Sequence, residues 1–125
     1  MNKLRVFYVD DDEIHCRVVA RMLADDPRFA VATYRSAVEM LARLELGEQC
    51  DILITDCNMP EMNGNDLVGS VRSLQGSQNV RILMLTVNNE WQDVARSLQV
   101  GANEYLMKPF NKEMLVNKLD LLLAQ

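Results

Sequence analysis

Asp10-Asp11-Asp12, Asp56, Thr86 and Lys108-Pro109 each come at the end of a short apolar run. Consecutive acids directly after a buried segment repel one another unless a counter-ion relieves them. Mg2+ suits that role, because this hard cation takes a few carboxylate oxygens while keeping waters whose places phosphate oxygens can fill. Asp10 and Asp11 are the metal candidates on this ground. A carboxylate in such a cluster can also act as nucleophile and form an acyl phosphate, while the metal and a lysine neutralise charge on the transferring group. Thr86 then offers a hydroxyl to one phosphoryl oxygen, and Lys108 an ammonium to another or, before reaction, to Asp56. These residue types together make a phosphoryl-acceptor constellation.

Residues so far apart in sequence meet only if the fold brings them to one edge. An open parallel sheet does this, since every strand ends on the same side. Five β-rich or apolar runs alternate with helical patterns, the sign of βα units. The predicted strands are Leu4 to Val9, Phe29 to Thr33, Ile52 to Thr55, Arg81 to Leu85 and Glu104 to Met107. Continuous runs such as Ile82-Leu83-Met84-Leu85 predict strands covered on both faces. The first helix spans about Glu13 to Asp25, with Ile14, Val18 and Met22 at four-residue steps, and stops before Pro27. Ser36 and Glu39 form a capping box for a helix ending near Gly47. A third helix begins just after Gly64 and ends before Gly76; a fourth is capped by Asn89, with Gln92 at its third position, and ends near Gly101. The last follows Asn111 with Leu115, Leu119 and Leu122 on one face.

With 125 residues, 49% of them hydrophobic and 25% charged, the chain has the size and balance of one globular domain. The net charge of -5 disfavours nonspecific binding to nucleic acid or anionic lipid. Cys16, Cys50 and Cys57 are an odd number without a CxxC pair, so neither a disulfide framework nor a zinc site is indicated and a reducing cytoplasm is expected. No apolar run approaches the roughly 18 residues of a membrane span, and Leu4 to Val9 is too short for a signal-peptide core.

The pattern Val9-Asp10-Asp11, Asp56 with Met59-Pro60 and Gly64 after it, Thr86, and Lys108-Pro109-Phe110 resembles the receiver domain of two-component response regulators, in length and layout the single-domain chemotaxis type. The resemblance covers residues 1–125 as one receiver domain. It implies an α/β fold, a doubly wound, flavodoxin-like (βα)5 with a five-stranded parallel sheet of order 2-1-3-4-5. It implies that Asp56 takes a phosphoryl group from a histidine kinase or histidine phosphotransfer protein. Asp10 and Asp11 would organise Mg2+ with Asp56, and the backbone carbonyl of Asn58 would complete the metal site. Thr86 would then move toward the phosphoryl group while Tyr105 turns inward, repacking the face of the fourth helix, fifth strand and fifth helix that a downstream effector protein or domain reads. Other implied properties are autodephosphorylation without enzymatic turnover and, in the phosphorylated form, dimerisation. Direct contact with nucleic acid or membrane is not expected. Val87 departs from the family pattern, which has a small residue there, and would narrow access to Asp56; Asn58 and Asn88 stand where the family tunes dephosphorylation.

Several features have simpler readings. Asp12 and Glu13 suit the first turn of a helix, where acids favour the dipole. His15, the one histidine, is read as an ordinary helix residue. Gly64 to Ser70 has P-loop glycine spacing but lacks the lysine before Ser70. The eight methionines suit core filling, and Trp91 suits local packing or an interface anchor. Lys108 precedes Pro109, which permits a cis peptide that aims the ammonium inward. The main enzymatic rival is a Mg2+-dependent phosphatase resembling the haloacid dehalogenases, with Asp10-x-Asp12 as its first motif and Asp10 as nucleophile. That reading leaves Asp56 unexplained and lacks a further acidic pair after Lys108. A flavodoxin-like cofactor module would need a phosphate loop where three aspartates stand.

Overall fold

The computed structural model describes residues 3–87 and 91–125, without the side chain of Trp91. The expected roles of Asn88, the Asn89 cap and the Trp91 anchor therefore lie outside the described residues. Five strands, β1 (Leu4–Val9), β2 (Phe29–Tyr34), β3 (Ile52–Asp56), β4 (Arg81–Thr86) and β5 (Glu104–Met107), alternate with α1 (Glu13–Ala24), α2 (Ala37–Glu45), α3 (Gly64–Ser73), α4 (Trp91–Val100) and α5 (Lys112–Leu123). All neighbouring strands pair parallel, in the order β2-β1-β3-β4-β5. This is the doubly wound arrangement expected from the sequence.

The two-residue period of a strand explains the continuous apolar runs. Val6 and Tyr8 of β1, Ile52 and Ile54 of β3, and Leu83 and Leu85 of β4 face one side, where they pack on Cys16, Val19 and Leu23 of α1 and Leu115, Leu119 and Leu122 of α5. Phe7 and Val9, Leu53, and Ile82 and Met84 face the other, against Met40 and Leu44 of α2 and Leu67, Val68 and Val71 of α3. Ile54, Leu83 and Leu119 are wholly buried. Truncating such a side chain to Ala costs about 2–5 kcal/mol, from lost transfer energy and the cavity left behind.

The buried stripe of α1 differs from the expected one. Ile14 and Val18, at four-residue steps, are 69% and 43% exposed, and the core contacts are made by Cys16, Val19 and Leu23. Cysteine behaves as a small hydrophobe here, and the apolar series Ile14-Val18-Met22 runs along the edge of the helix instead.

Helix ends follow local chemistry. The carboxylate of Asp12 accepts from the Ile14 and His15 amides, making it the N-cap of α1 and not a first-turn residue. Ser36 caps α2 by accepting from the Glu39 amide, and Asn63 and Asn111 cap α3 and α5. Gly47 and Gly101 follow α2 and α4 with φ of 100° and 121°, the left-handed conformation that ends a helix. Gly64 to Ser70 lies within α3, so its glycine spacing is no phosphate loop. Among the described residues no helix is long and apolar enough to cross a membrane.

Candidate functional site

Parallel pairing brings the ends of β1, β3, β4 and β5 to one edge, and the ladder holds the backbone there. The Asp10 amide donates to the Tyr34 carbonyl at 3.0 Å, Cys57 to Leu85 at 2.8 Å, and Lys108 to Thr86 at 2.8 Å. Each bond extends the sheet one step beyond the strand it follows, so the chain around each polar side chain is fixed before the loops begin. Asp56 and Thr86 are the last residues of their strands, one position earlier in the architecture than the sequence pattern suggested.

Asp10, Asp11 and Asp56 each offer one carboxylate oxygen to a common point, the three atoms lying within 4.8 Å of one another. Asp10 is 1% exposed and Asp56 8%, while Asp11 faces solvent. Three hard oxygen donors converging on one side fit a cation such as Mg2+, which also keeps part of its water shell.

The Lys108 ammonium stands 3.1 Å from Asp56 Oδ1 and 3.8 Å from Asp10 Oδ2. The Asn58 backbone N–H also donates to Asp56 Oδ1, at 3.4 Å. Burial pushes the Asp56 carboxyl above the ordinary carboxylate range, with Lys108 pulling in the opposite direction. Burial wins because a desolvated carboxylate loses more hydration than one lysine replaces. The Lys108-Pro109 peptide bond is cis, the isomer that the sequence permits.

Thr86 is buried at the end of β4, and Tyr105 of β5 is half-buried on the same side. Both line a cavity of about 160 Å3 whose walls also include Cys57, Asn65 and Ser97. The Lys118 ammonium lies 5.1 Å from the centre of the Tyr105 ring and pairs with Glu104 at 2.8 Å. Lys108 lines a second, largely apolar cavity of about 440 Å3, together with Tyr8, His15, Val18, Val87 and Phe110. Val87 is 65% exposed there.

Three further residues take part: Tyr8 is not singled out by the sequence pattern, His15 is read there as an ordinary helix residue, and Gly64 enters only as part of the family resemblance. The Tyr8 hydroxyl donates to Asp10 Oδ2 at 2.7 Å inside the core, and burial raises its phenol above the ordinary range. His15, half-exposed on α1, places Nδ1 3.4 Å from the same Asp10 oxygen. Gly64 packs so closely under the phosphoacceptor candidate that a Cβ would stand 2.7 Å from the Asp56 carbonyl oxygen. For Tyr8 a signal was present: two positions before Asp10 on one strand, it must share its face.

The chain from residue 6 to residue 120 matches the response regulator receiver domain model. Chemotaxis protein CheY1 of Helicobacter pylori is 34% identical over 121 residues, 97% of this chain and 98% of that protein. A chemotaxis protein CheY homolog of Campylobacter jejuni is 33% identical over 117 residues, 94% of this chain and 90% of its own. The solved structure of the chemotaxis response regulator CheY4 of Vibrio cholerae superposes with a TM-score of 0.90 at 32% identity, covering 97% of this chain and 99% of that one. A family match from residue 6 to residue 120, together with relatives 33–34% identical along nearly the whole chain, makes this chain a member of the response regulator receiver domain family.

Proposed function

We propose that residues 1–125 act as one receiver domain that accepts a phosphoryl group on Asp56 and signals through a protein-binding face. The observation that carries this reading is the pairing of Asp56 Oδ1 with Lys108 at 3.1 Å inside a three-carboxylate cluster. A carboxylate oxygen of Asp56 attacks the phosphorus of a phosphohistidine donor, on a histidine kinase or phosphotransfer protein. The O–P bond forms as the P–N bond breaks, and the imidazole departs. Asp10, Asp11, Asp56 and the backbone carbonyl of Asn58 would hold Mg2+, which supplies positive charge against the phosphoryl oxygens when bound. Lys108 would supply a second positive charge, and Thr86 a hydroxyl for one phosphoryl oxygen. Attack of water on the phosphorus later breaks the acyl O–P bond, releasing inorganic phosphate and returning the carboxylate, so the domain is a self-resetting acceptor and not a turnover enzyme.

The cavity of about 160 Å3 between Thr86 and Tyr105 supports a switch. It gives the Thr86 side chain space to leave and the Tyr105 ring space to enter, so a phosphoryl group that draws Thr86 biases two packings of α4, β5 and α5. A downstream effector that reads this face is the proposed output, with a phosphorylation-dependent second copy of the chain as a further partner and the cytoplasm as the proposed location.

Two observations weigh against a phosphatase using Asp10 as nucleophile. Asp12, the second acid of that motif, is occupied as the α1 cap, and Asp10 is 1% exposed with its Oδ2 taken by Tyr8. Intact-mass measurement after acetyl phosphate with Mg2+ tests the proposal. One phosphoryl group is expected on wild type and none on Asp56→Asn; equal labelling of both, or multiple turnovers at Asp10, would sink it.

A further inference from the structure

We propose that Tyr8 is a positioning residue whose hydroxyl holds the Asp10 carboxylate in its metal-binding orientation and thereby sets Mg2+ affinity. This rests on the reading of Asp10, Asp11 and Asp56 as a Mg2+ site.

The argument starts from the rotation of one carboxylate. Asp10 Oδ1 accepts the Asp12 amide at 3.0 Å, and Oδ2 accepts the Tyr8 hydroxyl at 2.7 Å. Two donors on different oxygens fix the plane of the group and leave further lone pairs for a cation. The remaining neighbours of Oδ2 are more distant: His15 Nδ1 at 3.4 Å, on a half-exposed side chain, and Lys108 Nζ at 3.8 Å. Both belong to groups that carry positive charge when protonated and so oppose a cation at the same carboxylate. The Tyr8 hydroxyl is a neutral donor and orients without that opposition.

Tyr8 is also fixed more firmly than the residues it competes with. Its side chain is 1% exposed and belongs to the core cluster with Cys16, Val19, Leu83 and Leu115. The position of its hydroxyl is therefore set by the packing of one face of β1 against α1 and α5, and is transmitted to Asp10 through one short hydrogen bond. Outer partners of this kind typically change metal affinity by about 10–100-fold when removed.

Calorimetric titration of Mg2+ into the metal-free protein tests this with wild type and Tyr8→Phe, which keeps the ring and removes only the hydroxyl. An unchanged stoichiometry with about tenfold weaker affinity in Tyr8→Phe is expected. Equal or tighter binding overturns the proposal, including when the variant's metal-free thermal midpoint falls, since that pattern marks a purely structural role. A wild type that binds no Mg2+ defeats the site reading together with the proposal. In the wild type, NMR provides a second readout independent of the variant's folding. The shielded Tyr8 hydroxyl proton should shift on titration with Mg2+, and an unmoved resonance at saturation counts against the idea.

Discussion

The Lys108 ammonium lies 3.1 Å from Asp56 Oδ1 in a pocket where only 8% of the aspartate is exposed. One lysine thus faces two acids, Asp56 and Asp10, across the end of the sheet. Its charge acts at short range and with little water between the partners, which strengthens its effect on any anion bound there.

Removal of that charge should be felt chiefly in the transfer step. Lys108→Met is expected to slow labelling of Asp56 by about 100-fold, the usual scale for losing one preorganised stabilising group. Time-resolved intact-mass spectra with acetyl phosphate at saturating Mg2+ give the rate. An unchanged rate would remove Lys108 from the transfer machinery.

The raised carboxyl of Asp56 has a signed consequence for stability. An acid whose native pKa lies above its unfolded value binds more protons in the native state between the two. Unfolding free energy therefore falls as pH rises through that window, and above it the full penalty of the buried charge persists. Asp56→Asn removes the penalty, so the metal-free variant should melt a few degrees above wild type at neutral pH. The gap should close as pH drops below the ordinary carboxylate range. Scanning calorimetry across pH in a chelator checks both signs, and a variant that melts lower than wild type at neutral pH contradicts the assignment.

Val87 is 65% exposed and shares the wall of the 440 Å3 cavity with Lys108, the ion-pair partner of Asp56. Val87→Ala should react faster than wild type with small phosphodonors such as acetyl phosphate. Equal rates for the two proteins would show that Val87 does not gate access.

Gly64 tolerates no side chain. A Cβ there would meet the Asp56 carbonyl oxygen and Met84 Sδ, both at 2.7 Å, and the Cys57 Cα at 2.9 Å. Two of these are backbone atoms held in the sheet, so Gly64→Ala should destabilise the domain by about 1–3 kcal/mol, as overpacking does. Urea denaturation measures this. A variant as stable as wild type would mean that α3 slides away from β3 at no cost.

Most of the site was legible because strand ends are legible. Apolar runs that stop at Asp10, Asp56, Thr86 and Lys108 announce one edge once the sheet is known to be parallel, and the structure brings Asp10, Asp11, Asp56 and Lys108 together there. Side-chain bookkeeping was less legible. Ile14 and Val18 carry the apolar spacing of a core stripe, yet the helix rotates them outward because Cys16, Val19 and Leu23 fit the sheet. The sequence suits Asp12 to helix-dipole chemistry, and its capping bonds become visible only with the loop geometry. For Tyr8 the two-residue period signals a face shared with Asp10, but the hydrogen bond between them is visible only in the structure.

The three amides that extend the ladder, those of Asp10, Cys57 and Lys108, bear on how such a domain can change state. Their hydrogens are locked in the sheet, so their exchange with solvent deuterium should require opening of the sheet edge itself, at a free energy near that of global unfolding. A phosphoryl group arriving at this edge would meet a rigid floor. Under the proposed function its influence would leave through side chains and the segments beyond the strands, with the sheet serving as the stationary reference against which they move.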